Sequence, residues 1–75
     1  MIQVTVKLFA SLRIGRFDRE IREYPQATTV GDVVSDLQIP EAEVGILLLN
    51  FVHVDLQRQL ADGDALAIFP LVGGG

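Results

Sequence analysis

Apolar and polar residues alternate at the start of the chain, where Ile2, Val4, Val6 and Leu8 are separated by Gln3, Thr5 and Lys7. A period of two sends successive side chains to opposite faces, so this segment predicts a strand with one buried face. The alternation lapses between Ser11 and Arg16, around Gly15. Phe17 to Tyr24 predicts a second strand returning as a hairpin, with Phe17 and Ile21 on one side and a charged face toward water. Pro25 closes it. Thr29-Val30-Gly31-Asp32 then pairs a cap residue with an acid three positions later, the pattern of a capping box. A helix is predicted from Val30 to Leu37, since Val30, Val33, Val34 and Leu37 recur at helical spacing while Asp32, Ser35 and Asp36 face outward. Pro40 prevents continuation, and Glu41 to Val44 make a connection.

Gly45 precedes Ile46-Leu47-Leu48-Leu49, an unbroken apolar run suited to a strand covered on both faces or lying against a partner. A turn at Asn50-Phe51 leads into a short strand containing Val52 and Val54. The Asp62-Gly63-Asp64 segment carries an Asp-Gly turn signal, and a last strand runs from Ala65 to Phe69, halted by Pro70. Strand, strand, helix, strands in this order predict an α+β domain with two layers, a mixed sheet crossed on one face by one principal helix, for which the β-grasp is the best-known arrangement. The domain spans residues 1–70, and 71–75 form a tail ending Gly73-Gly74-Gly75.

At 75 residues, with 49% hydrophobic residues and a mean hydropathy of +0.38, the chain has one core and is too apolar for disorder. It contains no cysteine, which excludes disulfides, thiolate metal sites and a cysteine nucleophile. A lone His53, with Ser11 and Ser35 as the only serines, makes a self-contained hydrolytic or metal centre a poor fit, so the chain is not expected to be catalytic alone. The net charge of −4 argues against nucleic acid as a partner. Lys7, Arg13, Arg16, Arg19 and Arg22 fall early, whereas residues 23–75 carry eight acids and only Arg58, which suits a basic partner for the second half. The longest apolar stretch is too short to span a bilayer, and the alternating start is unlike a signal peptide, so no membrane association and a cytoplasmic location are expected.

Three glycines in succession can thread a passage too narrow for side chains. The terminal carboxylate is the only functional group such a tail offers, and an activating enzyme with ATP could make it an acyl-adenylate open to nucleophiles. A frayed end or a cloning remnant accounts equally for the composition. Pro70 either directs the tail or simply stops the strand. Asp62 and Asp64 are accounted for by turn chemistry.

The ending from Asp62 to Gly75, D-G-D-A-L-A-I-F-P-L-V-G-G-G, resembles that of the MoaD/ThiS family of ubiquitin-like sulfur carriers. Leu8-Phe9-Ala10-Ser11-Leu12-Arg13 and Ala27-Thr28-Thr29-Val30-Gly31-Asp32-Val33 are similar to two further family segments, so the resemblance covers nearly the whole chain. It implies a ubiquitin-like β-grasp and a MoaD-like small subunit of molybdopterin synthase. Gly75 would be adenylated by a MoeB/ThiF-like enzyme using ATP and converted to a thiocarboxylate with sulfur from a persulfide donor. No cofactor would be held by the carrier itself. The tail, with Val72, Gly73 and Gly74, would enter a MoaE-like large subunit and deliver sulfur in molybdenum cofactor biosynthesis.

Phe9 and Phe69 fall at positions that the resemblance places against the large subunit, although both also suit a core. Two positions depart from the family pattern. His53 replaces the usual Tyr or Leu in the partner contact, and Asn50-Phe51 replaces Asn-Gly, which allows a dedicated partner or self-association through Phe51. His53 is read as a surface or interface residue without catalytic work. The alternatives are a ThiS-like carrier for thiamine or another pathway, a ubiquitin-like modifier joined to lysine, and a non-covalent β-grasp interaction module. The longer first hairpin and the F-P-x-V approach to the glycines favour the MoaD-like reading over the ThiS-like one.

Overall fold

A computed structural model describes residues 1–72. Its five strands are β1 (Ile2–Leu8), β2 (Arg19–Tyr24), β3 (Val44–Leu49), β4 (Val52–His53) and β5 (Ala65–Pro70), with one α-helix, α1 (Val30–Asp36). They form a mixed sheet in the order β2-β1-β5-β3-β4. The first and last strands are parallel neighbours at its centre, and the remaining pairs are antiparallel. This is the expected α+β arrangement, a sheet with α1 across one face. Among the described residues no helix is long and apolar enough to cross a membrane.

Register explains the core. Val6 lies beside Leu66 and Leu8 beside Ile68, while Leu47 and Leu49 pair with Ile68 and Leu66 from the other side. These residues form one buried layer, met from above by Val30, Val33 and Val34 of α1. Each such aliphatic side chain contributes ~1.5–3 kcal/mol by leaving water. A helix of seven residues cannot persist alone. Its start is fixed by the expected capping box: the Asp32 N–H donates to the Thr29 hydroxyl, and the Thr29 N–H donates to the Asp32 carboxylate. Its first free N–H groups are taken by loop carbonyls, Val30 N donating to Arg58 O and Gly31 N to Leu56 O. At the other end Gln38 adopts φ 58°. Gln38 N and Ile39 N return to the carbonyls of Ser35 and Val34, a Schellman closure that tucks Ile39 into the core.

Several expectations need correction. Where the alternation lapses after Leu8, Ala10–Arg13 form a 3-10 helix that the sequence pattern did not indicate and that buries Leu12. The guanidinium of Arg16 donates to the carbonyls of Leu12, Leu37 and Gln38, joining this segment to the end of α1. β2 begins at Arg19 rather than Phe17, and its faces are the reverse of those predicted. Ile21 lies opposite Thr5 on the outer face and is exposed, whereas Glu20, Arg22 and Tyr24 lie opposite Val6, Val4 and Ile2 on the helix side. The charge survives there because the short helix leaves this edge open. Arg22 pairs with Glu20 and Asp36 and sits 5.7 Å over the Phe17 ring. α1 ends at Asp36, with Leu37 as its cap, and the last strand extends through Pro70. β3 starts at Val44 and alternates, burying Leu47 and Leu49 while Ile46 stays exposed, so the described residues do not cover it on both faces. The fourth strand ends at His53, short of Val54.

The exit of the chain from the sheet is shaped by Gly45. A bulge between Val44 and Ile46 shifts the β3–β5 register there. A Cβ on Gly45 would stand 2.5 Å from the Pro70 carbonyl oxygen and 2.9 Å from the Leu71 Cα. Leu71 N then donates to Glu43 O at 2.8 Å, which holds the departing chain against the start of β3.

Gly45→Ala is therefore expected to force the backbone at Pro70 and Leu71 outward and to destabilise the fold by ~1–3 kcal/mol, read as a fall in the thermal unfolding midpoint. Tyr24, the one tyrosine in the chain, has its hydroxyl pushed above its ordinary pKa by burial, against the opposing pull of Arg22. The folded state thus holds this proton more tightly than the unfolded one. Stability contributed by the neutral phenol is present below the ordinary tyrosine range and is lost as pH rises through the folded pKa. An ultraviolet absorbance titration of the folded protein should place the phenol midpoint above that of free tyrosine; a midpoint at or below it would contradict the burial argument.

Candidate functional site

The helix covers one face of the sheet, and the opposite face carries Phe9, Phe69 and His53, with Phe51 at its rim. Since Leu8 pairs with Ile68, continuation of the same register brings Phe9 beside Phe69. Their rings stack with centroids 4.2 Å apart and planes inclined by 10°. Both are half-buried, so neither the wholly exposed nor the wholly buried alternative holds. Ile46 lies opposite Phe69, and Leu48 opposite Ala67. The small side chains of Ala65 and Ala67 leave a shallow groove of about 120 Å³ between the aromatic pair and Leu48, with Phe51 at its rim. Lys7, the chain's one lysine, and Asn50 are its polar lining.

Phe51 reaches this rim through a strained turn. Asn50 and Phe51 have φ values of 51° and 70°, and Leu49 pairs with Val52 directly across them. Two positive values in succession give a tight hairpin of the type that favours Asn-Gly. Phe51 occupies the glycine position and is 89% exposed, an arrangement that costs ~1–2 kcal/mol relative to glycine. Asn50 holds the turn: its Oδ1 accepts from Ala65 N, its Nδ2 donates to Asp64 Oδ1, and its own N–H donates to Ala65 O.

The acids of the neighbouring turn are engaged with backbone, as turn chemistry predicted. Asp62 Oδ1 accepts from Gln3 N, Asp64 Oδ2 accepts from Ala61 N, and Gly63 takes φ 89° between them. They fasten the start of β5 to β1 and to the Asn50 turn.

Not every predicted site residue joins the groove. His53 sits on the outer face opposite Leu48, but it lines a separate open depression with Asp55, Gln57 and Arg58. Pro70 ends β5 opposite Val44, and Leu71 and Val72 beyond it are exposed. Gly73, Gly74 and Gly75 lie outside the described residues. Sequence reading missed Gly45, whose close approach to Pro70 sets the direction of the exit, and it missed the outward side of β3. The missing signal for β3 lay in β5, where Ala65 and Ala67 alternate with Leu66 and Ile68 and so mark a thin outer face.

Comparison with known proteins gives a consistent picture. The model of the ThiS family matches residues 6–75. A Pyrococcus furiosus protein named as molybdopterin converting factor, subunit 1, superimposes with a TM-score of 0.77 at 30% identity, over 96% of this chain and 100% of that one. Small archaeal modifier protein 1 from Haloferax volcanii gives 0.73 at 28% identity, covering 97% and 99%. A chain in the complex of subunits 1 and 2 of the molybdopterin-converting factor of Helicobacter pylori shares the fold, at 0.67 and 22% identity over 99% and 100%. No curated protein matches the sequence. The family match over nearly the entire chain, together with the two-layer fold and the glycine ending, establishes that this chain belongs to the ThiS family of ubiquitin-like sulfur carriers.

Proposed function

We propose that the chain is a MoaD-like sulfur carrier, the small subunit of a molybdopterin synthase, with Gly75 as its reactive end. The observation that carries this reading is the family match, which runs through the last glycine of the chain. In the proposed cycle the Gly75 carboxylate attacks the α-phosphate of ATP on a MoeB/ThiF-like enzyme, forming an acyl-adenylate and releasing pyrophosphate. A persulfide donor displaces AMP from the carbonyl, and a thiol cleaves the resulting sulfur–sulfur bond, leaving the thiocarboxylate. That sulfur is then passed to the pterin precursor on a MoaE-like large subunit, and hydrolysis returns the carboxylate.

The residues of this chain contribute presentation. The apolar groove beside Phe9, Phe69 and Leu48 lies next to the exit at Pro70, so a partner covering it would receive the tail at the same time. The Helicobacter pylori complex of subunits 1 and 2 supports a large subunit as that partner. Identity to the Pyrococcus furiosus converting-factor subunit supports the molybdopterin pathway. Similarity to small archaeal modifier protein 1 supports a second reading, in which the same adenylate ends as an isopeptide bond to a lysine.

Incubation with a MoeB-type enzyme, ATP and a sulfide source should raise the intact mass by about 16 Da, one oxygen exchanged for sulfur. A Gly75-deleted chain should remain unchanged. No gain, with the enzyme proven on another carrier, would count against the carrier chemistry, and lysine conjugates in cells would favour the modifier. Phe51→Gly should raise stability by ~1 kcal/mol through relief of the positive-φ strain. The same change should weaken binding to a MoaE-like subunit by roughly tenfold if Phe51 is covered in the complex. Unfolding and calorimetric titration measure the two effects separately.

A further inference from the structure

β2 lies at one edge of the sheet and β4 at the other. Leu8 N donates to Asp18 O, and the β1–β2 register runs in step with that pair. Glu20, Arg22 and Tyr24 therefore direct their backbone groups toward β1, while Arg19, Ile21 and Glu23 direct theirs away from the sheet. Among the described residues the outward side of β2 is an open hydrogen-bonding edge.

The sequence along it reads Arg19-Glu20-Ile21-Arg22-Glu23, and its charge signs invert about Ile21. We propose that β2 pairs with β2 of a second copy of this chain, antiparallel, about a two-fold axis at Ile21. Arg19 then faces Glu23 of the other copy, Glu20 faces Arg22, and Ile21 meets Ile21. The pairs formed by residues 19, 21 and 23 use the open N–H and C=O groups, each pair exchanging two hydrogen bonds.

Two observations within one chain support this choice of occupant. Arg19 lies directly across from another cation, Lys7, and Glu23 across from the neutral Gln3. Among the described residues neither Arg19 nor Glu23 has an ion-pair partner, and a second copy supplies one to each. Ile21 is 58% exposed although it is the apolar centre of the strand, and the two-fold axis places it against its equivalent.

Charges on an edge strand usually discourage pairing. Here their order favours the axis at Ile21 over the two adjacent axes instead. Moving the axis to residue 20 sets Glu20 against Glu20, and moving it to residue 22 sets Arg22 against Arg22; like charges directly opposite are unfavourable. The joined sheet carries both outer faces on the same side, so the grooves beside Phe9 and Phe69 stay open. A two-strand contact buries little area, which suits a weak and reversible dimer.

Sedimentation velocity of the full chain, from about 10 µM to about 1 mM, tests the proposal by detecting a monomer–dimer equilibrium. Arg19→Glu places like charges opposite Glu23 twice per dimer and should weaken association on the order of tenfold. Glu23→Arg alone should do the same, and the double variant R19E/E23R should restore it. Both positions are exposed and, among the described residues, make no ion pair, so circular dichroism should show an unchanged fold. A monomer at every concentration, a dimer indifferent to R19E, or a double variant as weak as the single ones would overturn the proposal. A dimer lost on Phe51→Gly but kept in R19E would overturn it too, by placing the contact on the outer face. None of these readings depends on Gly75 chemistry, so the carrier function and the dimer stand or fall separately.

Discussion

The parallel pairing of β1 with β5 brings the beginning and the end of the chain together at the centre of the sheet. Val4, Val6 and Leu8 have no second layer to pack against until Leu66 and Ile68 arrive beside them and α1 closes over both. A parallel pair cannot be joined by a tight turn, so everything from β2 to the Asp62-Gly63-Asp64 turn acts as its crossover. Such long-range contacts must form against the entropy of closing most of the chain, which places folding toward the slower end for small domains. The same pairing determines where the C-terminal segment leaves, because the strand that completes the core is also the strand that carries the tail.

With one short α-helix among the described residues, the domain covers one face of its sheet. The other face is built around the Phe9–Phe69 stack, thinned by Ala65 and Ala67, and bordered by the bulge at Gly45. Stability and recognition are thus assigned to opposite sides of one set of strands. Alternate residues of β5 do both jobs: Leu66 and Ile68 face the helix, while Ala67 and Phe69 face the groove.

What was legible in the sequence was whatever depends on local chemistry. Alternation from Ile2 to Leu8 identified a half-buried strand, Thr29 and Asp32 identified a reciprocal cap, and Asp62-Gly63-Asp64 identified a turn; all three are local in origin. The family resemblance pointed to the groove residues Phe9 and Phe69, although their stacking depends on a register between strands at opposite ends of the chain. The faces of β2 were misread because Ile21 was assumed to seek the core. The helix side of that strand instead carries an ion pair and a tyrosine hydroxyl, which no period along β2 encodes. Arg16 was counted only as charge, yet it satisfies carbonyls more than twenty positions away. Gly45 looked like punctuation before an apolar run, and its need to lack a side chain arises from Pro70, a neighbour only in space.

The Asn50-Phe51 turn also bears on how the molecule ages. Asparagine degrades when the backbone nitrogen of the following residue attacks the side-chain carbonyl, closing a succinimide ring, and glycine in the following position leaves that approach least hindered. A phenylalanine there hinders the ring closure, and the Asn50 side chain is anchored at both ends, its Oδ1 by Ala65 N and its Nδ2 by Asp64, so the rotation that closure requires must break both bonds. The hairpin accepts conformational strain, and in exchange the residue that ties β3, β4 and β5 together is shielded from deamidation, so the junction is chemically durable as well as geometrically fixed.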